Sequence, residues 1–159
     1  MYAECGCGSG ETSCQLGTER TLIAVDFSTV ALHQALRFPC YAGGLLADIR
    51  RLPFRDKSLD GLWNLGVLEH LDASDQLLVL REFVRVLKPN GRLLLWWPPW
   101  YGLDHLLLGR MGRWFPPEPA RVDRPTARTR LQAAGFQRVT VEFPVSDGFT
   151  ELVVSEVKD

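Results

Sequence analysis

The chain has 159 residues, 46% of them hydrophobic and 23% charged, with a formal net charge of -1. That is enough for one domain with a real core and too few for two ordinary ones. The balanced charge argues against nucleic acid as the main partner, since such binders usually carry a clear basic excess.

Met1 to Cys5 reads as the stub of a strand. Glu11 to Arg20 is short and weakly helical, and Thr21 to Val25 (TLIAV) is a buried strand ending at Asp26. Ser28 to Arg37 reads as helix, and Gly44 to Ala47 leads through a short strand to Asp48. Ser58 to Asn64 carries another strand. Asp75 to Leu87 has helical periodicity, with Leu77, Leu78, Leu80, Phe83, Val84 and Leu87 on an apolar face. Lys88, Pro89, Asn90 and Gly91 form a breaker cluster before a strand over Arg92 to Trp97. Ala127 to Ala134 is a helix closed by Gly135. Gln137 to Phe143 and Phe149 to Val157 are strands joined through Ser146, Asp147 and Gly148 as an antiparallel turn.

This alternation predicts a single α/β domain over residues 1–159, a Rossmann-like, mostly parallel sheet flanked by helices. Its antiparallel C-terminal β-hairpin is not how ordinary dinucleotide-binding domains end. The four cysteines, Cys5, Cys7, Cys14 and Cys40, follow a start with no basic n-region or apolar h-region. The expectation is a reducing, cytoplasmic setting without a disulfide scaffold. The C-x-C-x6-C spacing is not that of common zinc motifs, so no metal is expected. The strongest apolar run, LLLWWPPWYGL, is broken by Pro98 and Pro99 and is too short for a membrane span.

The stretch ECGCGSGE places Gly6, Gly8 and Gly10 between a strand and a helix-like stretch. Glycines there permit positive φ and close backbone approach to a ligand. The spacing fails the G-x-G-x-x-G pattern, because Glu11 or Ser13 falls where the last glycine should be. That counts against a nicotinamide oxidoreductase. Asp26, at the end of the second strand, has a side chain able to accept both hydroxyls of a ribose. Asp26 and Ser28 also both precede a helix, so capping is the plainer reading, and the two are compatible. Asp48 closes the third apolar run in the same way.

ECGCGSGE resembles motif I of class I S-adenosylmethionine-dependent methyltransferases, and AVDFS resembles their acidic second-strand motif. ADIRRLPFRDKSLDGLWNLGVLEHL, REFVRVLKPNGRLLLW and LQAAGFQRVTVEF resemble the remaining motifs, in order and over nearly the whole chain. The nearest group is the ubiquinone-biosynthesis-like small-molecule methyltransferases. The resemblance implies S-adenosylmethionine as cofactor, S-adenosylhomocysteine as product, and in-line methyl transfer to a small molecule. It places Glu4 near the methionine amino group and Gly6, Gly8 and Gly10 along its cradle. It gives Asp26 the ribose, Phe27 a place near the adenine, and Asp48 with Ile49 the adenine edge. Asn64, Leu65 and Gly66 would border the methionine end, and His70 matches a position often held by His.

Only three residues precede Glu4, so the first strand reads as truncated without the family's covering helix; either the sequence starts late or the protein manages without that cover. A homodimer contact would supply that cover. A catalytically silent binding module is the rival reading. His70 and His105 are the candidates for proton transfer, each with a plainer reading as a packed or solvated histidine. Residues 98–125 stand where the family builds its acceptor pocket. Trp96, Trp97, Trp100, Tyr101, Trp114 and Phe115 make the region aromatic. Residues 110–130 hold six arginines, Arg110, Arg113, Arg121, Arg124, Arg128 and Arg130, against Glu118 and Asp123. These would either grip an anionic group on the acceptor or form a solvated face.

Overall fold

Strands and helices alternate as the apolar runs predict. The computed structural model describes residues 1–11, 13–16, 21–96, 124–142 and 152–157. The elements are β1 (Tyr2–Cys5), a 3₁₀ turn (Ser13–Leu16), β2 (Leu22–Asp26), α1 (Thr29–Ala35), β3 (Tyr41–Leu46) and β4 (Leu59–Leu65). A second 3₁₀ turn (Leu68–His70) follows, then α2 (Ala73–Val86), β5 (Leu87–Trp96), α3 (Arg124–Ala134), β6 (Phe136–Glu142) and β7 (Leu152–Val157). Among the described residues the strands form one sheet in the order β3-β2-β1-β4-β5-β7-β6. Strands β1 to β5 pair in parallel. Strand β7 runs antiparallel to both β5 and β6, the expected C-terminal hairpin.

Alternation along the strands supplies two apolar layers. On one face Ala3, Cys5, Val25, Leu62, Leu93 and Leu95 pack against Val79, Leu80, Phe83 and Val86 of α2 and Leu131 of α3. On the other, Leu22, Ala24 and Tyr41 pack with Ala35 of α1. Helix α2 forms because its apolar residues recur on one stripe and Asp72 caps its start, accepting the Asp75 N–H at 2.8 Å. Burial of Phe83, fully enclosed, stabilises the fold by about 1.5–3 kcal/mol. Ser28 caps α1, accepting from the Ala31 N–H.

Four local differences from expectation have physical causes. Between Glu11 and Arg20 the described residues form only the 3₁₀ turn, in which Ser13 Oγ accepts from Trp63 Nε1–H at 2.7 Å. Strand β3 starts earlier than Gly44, because Tyr41 pairs with Leu22 and turns its ring inward. The breaker cluster joins β5 as an irregularity: Asn90 takes φ 61°, and the β4–β5 register shifts between Leu59 and Gly61. Helix α3 begins at Arg124, with Pro125 in the first turn, where its missing N–H costs nothing.

The cysteine expectation is corrected. Cys14 and Cys40 form a disulfide, with Cα atoms 5.2 Å apart. The β2–α1 unit returns the chain to the level of the first 3₁₀ turn, a proximity no spacing rule reveals. Cys5 and Cys7 are free and buried. Among the described residues no group of three or more His, Cys, Asp or Glu is placed to hold a metal, and no helix is long and apolar enough to cross a membrane. His105, most of residues 98–125, Trp97 and the turn at Ser146 to Gly148 lie outside the described residues.

Candidate functional site

The sheet changes direction between β1 and β4: the chain builds β2 and β3 to one side of β1, then returns to lay β4 on the other. In parallel sheets ligands bind in the crevice at the strand C-termini beside such a switch. The residues there are the turn after Cys5, Asp26 at the end of β2, Asp48 after β3, Leu65 and Gly66 at the end of β4, and Trp96 at the end of β5.

The glycine turn leaves β1 through backbone bonds from the Gly6 and Cys7 N–H groups to Val25 O. All three glycines have positive φ, at 80°, 52° and 85°. Their surroundings divide them. A Cβ on Gly6 would lie 2.3 Å from Val67 Cγ2, and one on Gly10 would lie 2.7 Å from Ala35 Cα. A Cβ on Gly8 would meet nothing within 4 Å. Gly6 and Gly10 are therefore needed by packing, whereas Gly8 faces open space.

Asp26 is buried and spans the mouth of this turn. Its Oδ2 accepts the Gly8 N–H at 2.9 Å and its Oδ1 the Ser28 N–H at 2.9 Å. Each oxygen keeps a further lone pair. The cap-side and ligand-side readings of Asp26 thus coexist in one geometry. Phe27 beside it is 81% exposed. Asp48 is half-exposed and holds the Arg50 guanidinium through both oxygens, while Arg50 also reaches Asp75 at 2.8 Å. These bonds hold the Asp48 carboxyl below the usual range. Ile49 is buried next to it.

Glu4 lies beneath the glycine turn, almost fully buried, and accepts the Tyr41 hydroxyl proton. Burial raises its carboxyl pKa above the ordinary value, against the lowering effect of hydrogen bonds with Ser13, Tyr41 and Trp63. Burial, helped by the charges of Asp26 and Glu4, pushes the Cys7 thiol up to about 12, so it is no nucleophile at neutral pH. Asn64 is fully buried and donates through Nδ2 to Cys5 O at 2.5 Å, tying β4 to the end of β1.

The second 3₁₀ turn separates two neighbours. His70 is exposed, its backbone N–H bonded to Val67 O at 3.0 Å, while Glu69 beside it is buried. Burial raises the Glu69 carboxyl, only partly offset by a backbone hydrogen bond and by His70. Glu69 escaped the sequence reading. In the sequence the pointer to Glu69 is its place just after β4.

Residues 3–95 match the family model of the methyltransferase domain. The chain belongs to the class I S-adenosylmethionine-dependent methyltransferase family. It is 29% identical over 143 residues to 27-O-demethylrifamycin SV methyltransferase of Amycolatopsis mediterranei, covering 84% of this chain and 46% of that one. It is 27% identical over 97 residues to the probable tRNA methyltransferase 9B of Homo sapiens, covering 60% of this chain and 21% of the relative. The chain therefore spans about a fifth to a half of these relatives' lengths. The structure of an S-adenosylmethionine-dependent methyltransferase from Archaeoglobus fulgidus superposes with a TM-score of 0.79 at 18% identity, over 98% of this chain and 85% of that one. At that identity the likeness concerns the fold. The family's cofactor is S-adenosylmethionine, and the cradle fits it: open space at Gly8 beside a fixed carboxylate suits a ribose and its attached chain.

Proposed function

We propose that this methyltransferase binds S-adenosylmethionine across the C-terminal ends of β1, β2 and β4 and methylates a small-molecule acceptor. The observation that carries the reading is Asp26. Its two oxygens are oriented by the Gly8 and Ser28 N–H groups and keep free lone pairs beside the open face of Gly8. Two hydroxyls of a ribose match that pair. The bound cofactor supplies a methyl group already activated by its sulfonium, so the protein's work is mainly alignment.

In this reading Gly6, Gly8 and Gly10 shape the cradle of the methionine moiety, and Glu4 sets its floor through Tyr41. Asn64, Leu65 and Gly66 border the methionine end, Phe27 and Ile49 flank the adenine, and Asp48 faces its edge while holding Arg50. His70 is a candidate for proton transfer from its exposed position, and His105 is the second. Residues 98–125 supply the acceptor pocket. A cytoplasmic location and a homodimer belong to the same proposal.

One relative favours a second reading: the match to a probable tRNA methyltransferase makes RNA an alternative acceptor. The net charge of -1 favours the small molecule. Incubation with methyl-tritiated S-adenosylmethionine, a cellular metabolite extract and total tRNA separates the two. Label in the small-molecule fraction supports the proposal, and label in tRNA alone overturns it. Tight S-adenosylhomocysteine binding with label in neither fraction favours a catalytically silent module.

A further inference from the structure

The Cys14–Cys40 disulfide lies in the smaller apolar layer, beside the glycine turn. That layer also holds Cys7, a residue of the turn itself. The larger core, where α2 and α3 pack on the opposite face, involves neither bonded sulfur. Each sulfur's neighbour in sequence is bonded into the sheet beneath the turn. Cys14 follows Ser13, whose Oγ accepts from Trp63 Nε1–H of β4 at 2.7 Å. Cys40 precedes Tyr41, whose hydroxyl donates to Glu4 of β1 and lies 3.5 Å from Gly10 O. The Tyr41 ring also packs closely on Gly10, where a Cβ would sit 2.9 Å from Tyr41 Cε2. Gly10 closes the turn by donating its N–H to Cys7 O at 2.9 Å. The disulfide therefore ties the segment leaving the glycine turn to the strand start that packs against that turn.

The two sulfurs differ in access. Cys40 is 4% exposed, whereas Cys14 is half-buried. Of the four cysteines, Cys5 and Cys7 are already thiols, so this bond is the one target a reductant has. In a reducing compartment such pairs are usually transient and redox-sensing.

We propose that the Cys14–Cys40 pair is a redox modification site, opened by a dithiol, and that its reduction loosens the cofactor cradle. This rests on the cofactor reading of the crevice above. One thiolate of the dithiol attacks Cys14 Sγ. A new S–S bond forms as the Cys14–Cys40 bond breaks, and the departing Cys40 sulfur takes up a proton. The dithiol's second thiolate then attacks its own bound sulfur, and Cys14 leaves as a thiolate that takes up the second proton. The protein gains two electrons and two protons, and the dithiol departs as a cyclic disulfide. With the bond intact, the Ser13 and Tyr41 sides hold the turn between them. With it open, the two sides separate, and the turn spends less time in the shape that receives the cofactor. A cradle competent about a tenth of the time binds its ligand about tenfold more weakly. The larger core on the opposite face stays closed in both states.

The test compares the wild-type chain, purified in air, before and after treatment with dithiothreitol. Iodoacetamide labelling of the denatured chain, read by mass, should find two thiols before reduction and four after. S-adenosylhomocysteine is titrated calorimetrically into both states, and amide hydrogen exchange is followed by mass spectrometry. Reduction should weaken binding about tenfold, reversibly on reoxidation. Amides of the glycine turn should exchange faster while those of α2 keep their rates. Cys14→Ser/Cys40→Ser should bind as the reduced wild type does and ignore dithiothreitol. Equal affinity in the two states, or four thiols before reduction, overturns the proposal and leaves the cofactor reading intact. Unfolding on reduction, with α2 exchanging as fast as the turn, overturns it too, since the bond would then be a staple of the whole fold. No binding of S-adenosylhomocysteine in either state overturns the cofactor reading along with it.

Discussion

Replacing Gly10 and Gly8 by alanine, one at a time, should separate a glycine that packs from one that faces ligand. Both have positive φ, which costs an L residue about 1–2 kcal/mol. For Gly8 that is the whole cost, because the added methyl meets nothing within 4 Å. For Gly10 the methyl would sit 2.7 Å from Ala35 Cα, 2.9 Å from Ala35 Cβ and 2.9 Å from Tyr41 Cε2. Ala35 is backbone-fixed in α1, and Tyr41 is held by Glu4, so neither yields easily. Overpacking adds about 1–3 kcal/mol. The total for Gly10→Ala is about 2–5 kcal/mol, or roughly 4–20 °C in Tm for a chain of this size. Gly8→Ala should lose no more than about 2 kcal/mol, yet weaken S-adenosylhomocysteine by at least about tenfold, since its methyl enters the cradle. Differential scanning calorimetry with and without S-adenosylhomocysteine reads both quantities. Equal Tm losses in the two variants, or full affinity in Gly8→Ala, would refute the division of the glycines.

Other expectations follow from single contacts. Removing the Cys14–Cys40 disulfide, which closes a loop with sequence separation 26, should cost about 3.5 kcal/mol by the chain-entropy relation, measured as a drop in urea midpoint for the Cys14→Ser/Cys40→Ser pair. Glu69→Gln should raise Tm at alkaline pH and change little near pH 4. The folded carboxyl titrates above its unfolded value, so its favourable contribution is complete below the unfolded pKa and is lost as pH rises through the folded one. A Tm gain independent of pH would contradict that burial effect. Arg85 donates to Leu52 O and Phe54 O at 3.0 Å and pairs with Glu82 and Asp56, so Arg85→Ala should destabilise by about 1–3 kcal/mol and speed proteolysis of the segment between β3 and β4.

The sheet was legible because each parallel strand is a short apolar run closed by a polar or glycine residue, and α2 because its stripe repeats at helical spacing. The acidic ends at Asp26 and Asp48 and the three glycines point to the same end of the sheet from their places in the sequence. What the residues alone do not carry is contact across the fold. Nothing in the spacing of Cys14 and Cys40 says that β2 and α1 return one to the other. The glycines look alike in sequence, and only the positions of Val67, Ala35 and Tyr41 distinguish them. Glu69 and His70 are neighbours, but three residues complete a 3₁₀ turn, so successive side chains diverge by roughly 120°. One is turned inward and the other outward, and burial decides which.

The central claim is that the crevice around Asp26 and Gly8 holds S-adenosylmethionine. Isothermal titration of S-adenosylhomocysteine into the wild-type chain and Asp26→Ala tests it most directly, with circular dichroism confirming that both are folded. Micromolar binding by the wild type that falls by at least about a hundredfold in the variant is the predicted result, matching the loss of two hydrogen bonds to a charged group. Equal affinity in the two proteins, or no binding by a folded wild-type chain, would contradict it.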